Sequence, residues 1–236
     1  MGDATMDPSF QPFGDELWLA PRPLKFYGVE VGTRMTVIRL DGGLFLHSPV
    51  ALDPQTLFSL QNLAPVKSIV APNALHHLFL SDYFKVFPEA KVYAAPGLEK
   101  KRRDLVFHCI LSDQVEAEWQ REMDQVLVPE LPMLKNEVVF LHHKSRTLLL
   151  TDLAFYIGRE APFLTRLTTR LLGAYGQFGP DRILRRRIRD RKNIQEALLK
   201  ILSWDFDRII LAHGKLIEKG GKDVFAKAFS PLLETS

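Results

Sequence analysis

Residues 136–152 have the sequence NEVVFLHHKSRTLLLTD. The apolar runs EVVFL and TLLL flank a polar turn at residues 143–146, a pattern that predicts two neighbouring strands. His142 and His143 belong to this turn, and we expect both at the surface. Asp152 follows directly after the second strand. Because open α/β folds bind ligands at the carboxyl ends of their strands, this stretch indicates both the fold class and one residue of a functional site.

The upstream part of the chain opens with a β-hairpin. Residues 33–47, TRMTVIRLDGGLFLH, contain two short apolar strands around Asp41-Gly42-Gly43. An Asp-Gly pair supplies the positive φ angles that a tight hairpin turn needs.

Helices and strands then alternate along the chain. Apolar spacing predicts strands at residues 66–70, 91–95 and 208–212. It predicts helices at residues 54–63, from the His76-His77 pair through residue 84, and at residues 97–103, 159–173, 181–202 and 223–233. The signal at residues 126–132 is weak. A hairpin followed by this alternation, without a linker or an internal repeat, predicts one α/β domain with mixed sheets.

The composition is that of an ordinary folded protein. Of the 236 residues, 46% are hydrophobic and 25% are charged, which excludes the disordered and fibrous classes. The net charge of +3 gives no whole-molecule attraction to nucleic acid, so we expect no nucleic-acid partner. The single cysteine, Cys109, excludes an intrachain disulfide and any zinc site built on several thiolates. A metal would therefore have to use histidines and carboxylates.

The sequence also predicts where the chain is located and where its domain begins. No run approaches the roughly 18 to 20 uninterrupted apolar residues of a membrane span, and the N-terminus lacks a signal pattern. We therefore expect a cytoplasmic protein with no membrane span, and a homo-oligomer remains open. Residues 1–13, rich in Asp and Pro, predict a flexible tail, and residues 14–236 the single domain.

Polar residues follow three of the predicted strands. His76 and His77 come after the strand at residues 66–70, Asp152 after the TLLL strand and His213 after the last strand. Three imidazoles and one carboxylate suit zinc, and they also suit ferrous iron. The alternative is that these are structural histidines, each hydrogen-bonded at a strand end.

The order of these elements resembles the metallo-β-lactamase superfamily over roughly residues 30–215, and most closely a poorly characterised branch known as a domain of unknown function. MTVIRLDGGLFLHSPV resembles the opening hairpin of that superfamily, with His47-Ser48-Pro49 in place of the usual Asp-Thr-Gly. Thr151-Asp152 stands where the superfamily has Gly-Asp, and IILAHG resembles its closing strand, with His213 as the last ligand. The resemblance implies a four-layer αββα sandwich.

The central metal motif departs from the pattern of the superfamily. When His-x-His-x-Asp-His is laid over residues 72–77, Pro72 and Ala74 replace the first two histidines and His76 replaces the aspartate. A further histidine of the family falls near Met133. The resemblance thus implies that the first metal position is lost, and that the second keeps His77, Asp152 and His213 together with His76. We expect a single divalent ion, zinc or iron, rather than a pair.

Two functions are consistent with this pattern. The first is a metal-dependent hydrolase acting on a small anionic ester, lactone, thioester or phosphodiester, with Asp152 and His76 as catalytic residues. If all four side chains bind the ion, the site is closed and structural. If His76 is a general base instead, water can take the fourth place. The second function is a non-catalytic protein of the same fold that binds an anionic ligand or a protein partner, with a structural metal or none.

A dense run of cations, DRILRRRIRDRK, occupies residues 181–192. It is either a solvated helix face or a surface whose guanidinium groups bind an anion. In the second case, Arg185 and Arg186 would hold the anionic part of a substrate. Asn73 precedes the histidine pair, where it either orients a ligand or caps the following turn.

Overall fold

The computed structural model describes residues 10–131, 135–187 and 190–234. Its strands are β1 (Gln11–Gly14), β2 (Leu17–Arg22), β3 (Lys25–Phe26), β4 (Val29–Glu30), β5 (Thr33–Leu40), β6 (Gly43–His47), β7 (Val66–Ala71), β8 (Lys91–Ala94), β9 (Cys109–Ile110), β10 (Met123–Leu131), β11 (Lys135–His142), β12 (Thr147–Leu150) and β13 (Arg208–Leu211). Its helices are α1 (Pro54–Leu63), α2 (Leu80–Val86), α3 (Leu98–Lys101), α4 (Phe163–Leu172), α5 (Arg182–Arg187), α6 (Arg191–Ser203) and α7 (Gly221–Leu233).

The strands form two main sheets. The first has the order β1-β2-β5-β6-β7-β8-β9 and the second β10-β11-β12-β13, while β3 and β4 form a small separate hairpin. Strands β6, β7 and β8 run parallel to one another, and so do β12 and β13. Parallel strands end at the same edge of their sheet, so the loops after these strands lie together.

Both predicted hairpins are confirmed. In the first, β5 and β6 are antiparallel, and Leu40 pairs with Gly43 next to the turn. Gly43 has a φ of +130°, and a Cβ there would collide with the carbonyl oxygen of Pro65. The second hairpin pairs β11 with β12, with Leu141 opposite Leu148.

The two main sheets lie between two layers of helices, and an apolar cluster fills each of the three spaces between these four layers. The central cluster contains side chains of both main sheets, such as Phe45 and Phe140, whose ring centroids lie 5.4 Å apart. A second cluster joins the outer face of the first sheet to helices that include α1, through Leu60. A third joins the outer face of the second sheet to α6 and α7, through Leu198 and Phe225. The αββα sandwich implied by the resemblance is therefore confirmed.

Two segments near strands differ from the sequence predictions. Residues 10–13 are not a loose tail, because Phe10 is buried and Gln11 pairs with Leu19 across β1 and β2. Residues 1–9 lie outside the described residues. Residues 126–131, where the signal was weak, form the second part of β10, and the side chains of Val126 and Leu127 pack into two different apolar clusters. Its pairing with β11 begins at Met123.

The helices also differ at their ends. The helix predicted from the histidine pair begins only at Leu80, and residues 76–79 form turns. The long helix predicted at residues 181–202 is described as two shorter helices, α5 and α6. Asp190 caps α6, and its carboxylate accepts a hydrogen bond from the Asn193 amide at 3.2 Å. In the part of the chain that the structure describes, no helix is long and apolar enough to cross a membrane.

The prediction that His142 lies at the surface was wrong. His142 is buried, and its Nδ1 lies 2.8 Å from the Ser145 hydroxyl. Burial lowers the pKa of His142 to about 4. His143, by contrast, is exposed and lies 2.8 Å from Asp124.

Candidate metal centre

Three of the predicted site residues meet at one edge of the sandwich. His76 lies in the turns after β7, Asp152 directly after β12 and His213 after β13. Their three side chains are buried, and one ligand atom from each lies within 4.8 Å of the others. The Nε2 atom of His76 is 3.1 Å from Asp152 Oδ2, and the Nε2 atom of His213 is 3.5 Å from Asp152 Oδ1.

The distal ring nitrogens of both histidines have hydrogen-bond partners. Nδ1 of His213 lies 2.6 Å from the Gly32 carbonyl oxygen, which can only accept, so Nδ1 carries a proton. Burial lowers the pKa of His213, which leaves its Nε2 as a lone pair facing the carboxylate of Asp152. Nδ1 of His76 lies 2.6 Å from the Ser48 hydroxyl. Metal-binding histidines in proteins are held in this way, with one nitrogen bonded to the protein and the other left for the ion.

Asp152 carries a negative charge at neutral pH. Burial raises the pKa of its carboxyl group, but the nearby His76 and His213 and the Asn73 amide outweigh burial and lower the pKa to about 2. Two imidazole nitrogens and an ionised carboxylate oxygen form a donor set that suits a borderline divalent ion.

Asn73 has the capping role, one of the two that the sequence left open. Its side-chain oxygen accepts hydrogen bonds from the amides of Leu75 and His76, at 2.8 and 3.0 Å, and so caps the turn that carries His76. Its side-chain nitrogen donates to Asp152 at 2.8 Å and to Thr151 at 3.0 Å. One buried amide thus fixes the loops of two candidate ligands.

Glu137 fixes the loop that carries Asp152 through hydrogen bonds to the backbone. The carboxylate of Glu137 is fully buried and accepts hydrogen bonds from the amides of Thr151, Asp152 and Leu153, at 2.8, 2.8 and 2.9 Å. Burial, followed by the charge of Asp152, raises the pKa of Glu137. Glu137, the first residue of the EVVFL run, is therefore a supporting residue of the site.

The loop of His213 is held by β5. The guanidinium of Arg34 donates to the carbonyl oxygens of Leu211 and of Gly214, the latter at 2.9 Å. These two acceptors lie on either side of His213 in the chain. A strand of the first sheet therefore positions a candidate ligand that follows a strand of the second sheet.

His77 is not brought into this group. Its Nδ1 lies 3.3 Å from the guanidinium of Arg102, which also donates to the His77 carbonyl oxygen at 3.1 Å. Burial and the charges of Lys101 and Arg102 lower the pKa of His77 to about 4. His77 lines a cavity next to the three candidate ligands, but its imidazole faces the guanidinium of Arg102.

Two of the three positions that correspond to a first metal are described, and neither Pro72 nor Ala74 has a side chain that can bind an ion. The Pro72 carbonyl oxygen accepts from the Val138 amide at 2.8 Å, and the Ala74 carbonyl oxygen from Lys101 at 2.7 Å. Met133 lies outside the described residues.

The sequence did not indicate a role for Ser48. This residue is buried, has a φ of +58° and bonds to His76. A non-glycine residue with positive φ is uncommon and often marks a functional site, but the sequence does not reveal such an angle. The available signal was its place in the segment that resembles Asp-Thr-Gly.

A cavity of about 480 Å³ opens next to the three candidate ligands. His76, Asp152 and His213 line it, together with Lys101. Neither Arg185 nor Arg186 is among its lining residues, and the side chain of Arg185 donates to the Pro180 carbonyl oxygen at 3.1 Å. The sequence signal for Lys101 was the cationic run KKRR at residues 100–103, to which we assigned no role.

Comparisons with known proteins agree with this architecture. A family model described as a domain of unknown function, DUF4336, matches residues 14–178. The comparison with curated proteins gives no match. Among solved structures, the chain is similar to the metallo-β-lactamase FIM-1 from Pseudomonas aeruginosa in its mono-zinc form, with 12% identity, a TM-score of 0.63, and coverage of 95% of this chain and 96% of that chain.

Two further structures extend this similarity. A metallo-β-lactamase from Pontibacter korlensis has 11% identity and a TM-score of 0.63, with 96% of this chain and 99% of that chain covered. The metal-soaked Flv1 flavodiiron core from Synechocystis sp. PCC6803 has 12% identity and a TM-score of 0.65, with 95% of this chain and 60% of that chain covered. Identities this low show the fold alone. The chain therefore belongs to the DUF4336 family and has the metallo-β-lactamase fold.

Proposed function

We propose that this protein is a metal-dependent hydrolase whose single ion is held by His76, Asp152 and His213. One observation carries the proposal. The Gly32 carbonyl and the Ser48 hydroxyl hold Nδ1 of His213 and of His76, so the two Nε2 atoms face the Asp152 carboxylate at 3.5 and 3.1 Å. Burial lowers the pKa of His213 and so favours a neutral ring with a lone pair on Nε2. Two electron-rich atoms placed face to face repel each other, and a cation between them would remove that repulsion.

The donor set fits zinc. Catalytic zinc sites use three protein ligands, often two histidines and a carboxylate, and keep a fourth position for water or substrate. Iron(II) is the alternative ion, because the facial triad of non-haem iron enzymes has the same composition. We assign His76 as a ligand rather than as a general base, because its Nε2 is directed to Asp152 at 3.1 Å. His77 is left out of the ligand set.

An ion bound there would polarise a carbonyl or phosphoryl oxygen and acidify a bound water. The chain would supply the remaining functions. Asp152 stays ionised, and Ser48 and Gly32 hold the two imidazole rings in orientation. Lys101 lines the cavity and would attract an anionic substrate group. The sequence had predicted this role for Arg185 and Arg186. The reaction class is hydrolysis of an ester, lactone, thioester or phosphodiester.

The test is turnover by wild type supplied with zinc or iron(II), measured on a panel of those four bond types. We expect hydrolysis of at least one class, its loss in Asp152→Ala, and unchanged turnover in His143→Gln. His143 is an exposed histidine outside the site, and its side chain contacts the carboxylate of Asp124. A metal-loaded wild type that is inactive on the whole panel would contradict the proposal.

A second candidate function is favoured by Pro72 and Ala74, which stand at the first metal position. A protein that has lost one ion of a pair can keep the other for stability alone and use the cavity for binding. A thermal shift distinguishes the two functions, since a ligand that binds only the folded state raises its stability. A large shift on adding zinc, without turnover of any substrate class, would support this second function.

A further inference from the structure

The cavity beside the metal centre has mainly apolar walls. Leu24, Val29 and Val31 come from the small β3–β4 hairpin and its flanks, and Leu172, Ala174 and Ile183 come from α4, α5 and the segment between them. Its volume of about 480 Å³ lies within the range of about 300–1,000 Å³ of small-molecule sites in proteins. The site is therefore large enough for more than the scissile group of a substrate.

Two threonine hydroxyls of the wall already donate their protons to the helix backbone, so neither has a proton left for a polar ligand. The hydroxyl of Thr168 donates within its own helix, with the Leu164 and Thr165 carbonyl oxygens both 3.0 Å away, and the hydroxyl of Thr169 lies 2.6 Å from the Thr165 carbonyl oxygen. A sugar or nucleotide laid against this wall would bury hydroxyl or amide groups without partners, which is unfavourable. A hydrocarbon chain needs no such partners.

The apolar wall continues to the surface. Phe26 is 42% exposed, Tyr27 is 90% exposed and Leu172 is 37% exposed, and all three line the cavity. An apolar group can therefore pass from solvent along an apolar path to the buried centre.

We propose that the cavity binds the acyl chain of a carboxylic ester or thioester, whose carbonyl lies at the metal centre. This inference rests on the proposed hydrolase function and selects its substrate class. In the reaction, water adds to the acyl carbon, the bond from that carbon to oxygen or sulfur breaks, and a proton goes to the departing oxygen or sulfur. The products are a fatty acid and an alcohol or a thiol.

The test uses binding, so that it does not depend on turnover. Methyl ketones with butyl, hexyl and octyl chains imitate the acyl carbonyl and cannot be hydrolysed, and their affinity for zinc-supplied wild type is measured by calorimetry. Each fully buried methylene raises affinity by about fourfold. We therefore expect a gain of about sixteenfold for each pair of fully buried methylenes. Equal affinity for the three ketones, or no binding of the octyl ketone, would overturn the assignment.

A matched pair of variants locates the bound chain. Leu172→Trp places an indole at a residue that lines the cavity, whereas Leu171→Trp places one on the preceding residue of α4, which is 67% exposed and does not line the cavity. We expect Leu172→Trp to lose at least tenfold in affinity for the octyl ketone and Leu171→Trp to bind as wild type does. Val31→Trp repeats the test from the opposite wall. Equal effects of the α4 pair, together with wild-type binding by Val31→Trp, would overturn the assignment.

The two proposals fail in different ways. Chain-length-dependent binding without hydrolysis of any of the four bond types would support the acyl cavity and contradict the hydrolase. Hydrolysis of a lactone or phosphodiester, with affinity independent of chain length, would support the hydrolase and contradict the acyl cavity.

Discussion

Replacing Glu137 by Gln tests the support beneath the candidate metal centre. Oε2 of Glu137 accepts from the amides of Asp152 and Leu153, and Oε1 accepts from the amide of Thr151. A glutamine can keep its side-chain oxygen where Oε2 of Glu137 lies. Its NH₂ group then takes the place of Oε1 and faces the Thr151 N–H as a second donor. The substitution therefore leaves one buried amide without an acceptor and removes the charge from two further hydrogen bonds.

The expected cost follows from these three bonds. An unsatisfied buried donor costs about 1–3 kcal/mol, and a hydrogen bond to a neutral acceptor is weaker than one to a charged acceptor by about 1 kcal/mol. Because burial disfavours the charge on Glu137 and raises its pKa, removing that charge returns part of the loss. The net destabilisation is about 2 kcal/mol, which lowers Tm by about 4–8 °C in a protein of this size.

The assay is thermal unfolding of wild type, Glu137→Gln and a control variant at neutral pH, with metal removed by a chelator. Glu89→Gln is the control, since Glu89 is exposed and outside the site, and its change should stay within about 0.5 kcal/mol. Metal affinity provides a second readout. Loss of a group that orients a metal ligand lowers affinity by about 10–100-fold. A Glu137→Gln variant with the Tm and metal affinity of wild type would refute the reasoning.

Two further predictions follow from histidines and their partners. The pKa of His142 in the folded protein is lowered to about 4, so the unfolded chain takes up a proton at a higher pH than the folded protein does. The free energy of unfolding of wild type should therefore fall by up to about 3 kcal/mol between pH 6.5 and 4. His142→Asn should not show this loss. Urea unfolding across that range checks this difference, and the same protection in exposed His143→Asn would contradict it. Ser48→Ala removes the hydroxyl beside Nδ1 of His76 and should weaken zinc binding by about tenfold, whereas Ser203→Ala removes an exposed hydroxyl outside the site and should leave the affinity unchanged. Zinc titration against a competing chelator measures both variants, and equal affinities would show that the hydroxyl does not hold the ring.

The sequence was sufficient for elements with strong local signals. The hairpin at residues 33–47 was found from its Asp-Gly turn, and the hairpin of β11 and β12 from two apolar runs around a polar turn. Both signals come from residues that are close in sequence. Asp152 and His213 were selected because each follows such a run, and parallel pairing of β12 with β13 brings them to one edge.

The sequence was insufficient where contacts link distant residues. The resemblance placed His77 in the ligand position, yet the turn capped by Asn73 directs His76 to Asp152 while Arg102 contacts His77. That choice depends on backbone angles over a few residues, which periodicity does not encode.

The apolar cavity was missed for a related reason. One of its walls comes from β3 and β4, which are two residues each and too short for any hydrophobic pattern. The opposite wall comes from α4, more than a hundred residues further along the chain. Its apolar side chains predicted a helix but not the face against which the helix lies.

The most direct test of the central claim is the metal content of four proteins purified without a chelator or a histidine tag. Elemental analysis would compare wild type with Asp152→Ala, His213→Ala and His77→Ala after supplementation with zinc or iron(II). Because His76, Asp152 and His213 are held together and His77 is directed to Arg102, we predict about one ion per chain in wild type and His77→Ala and almost none in the other two variants. A wild type without metal, or an ion lost from His77→Ala and retained in Asp152→Ala, would contradict the account.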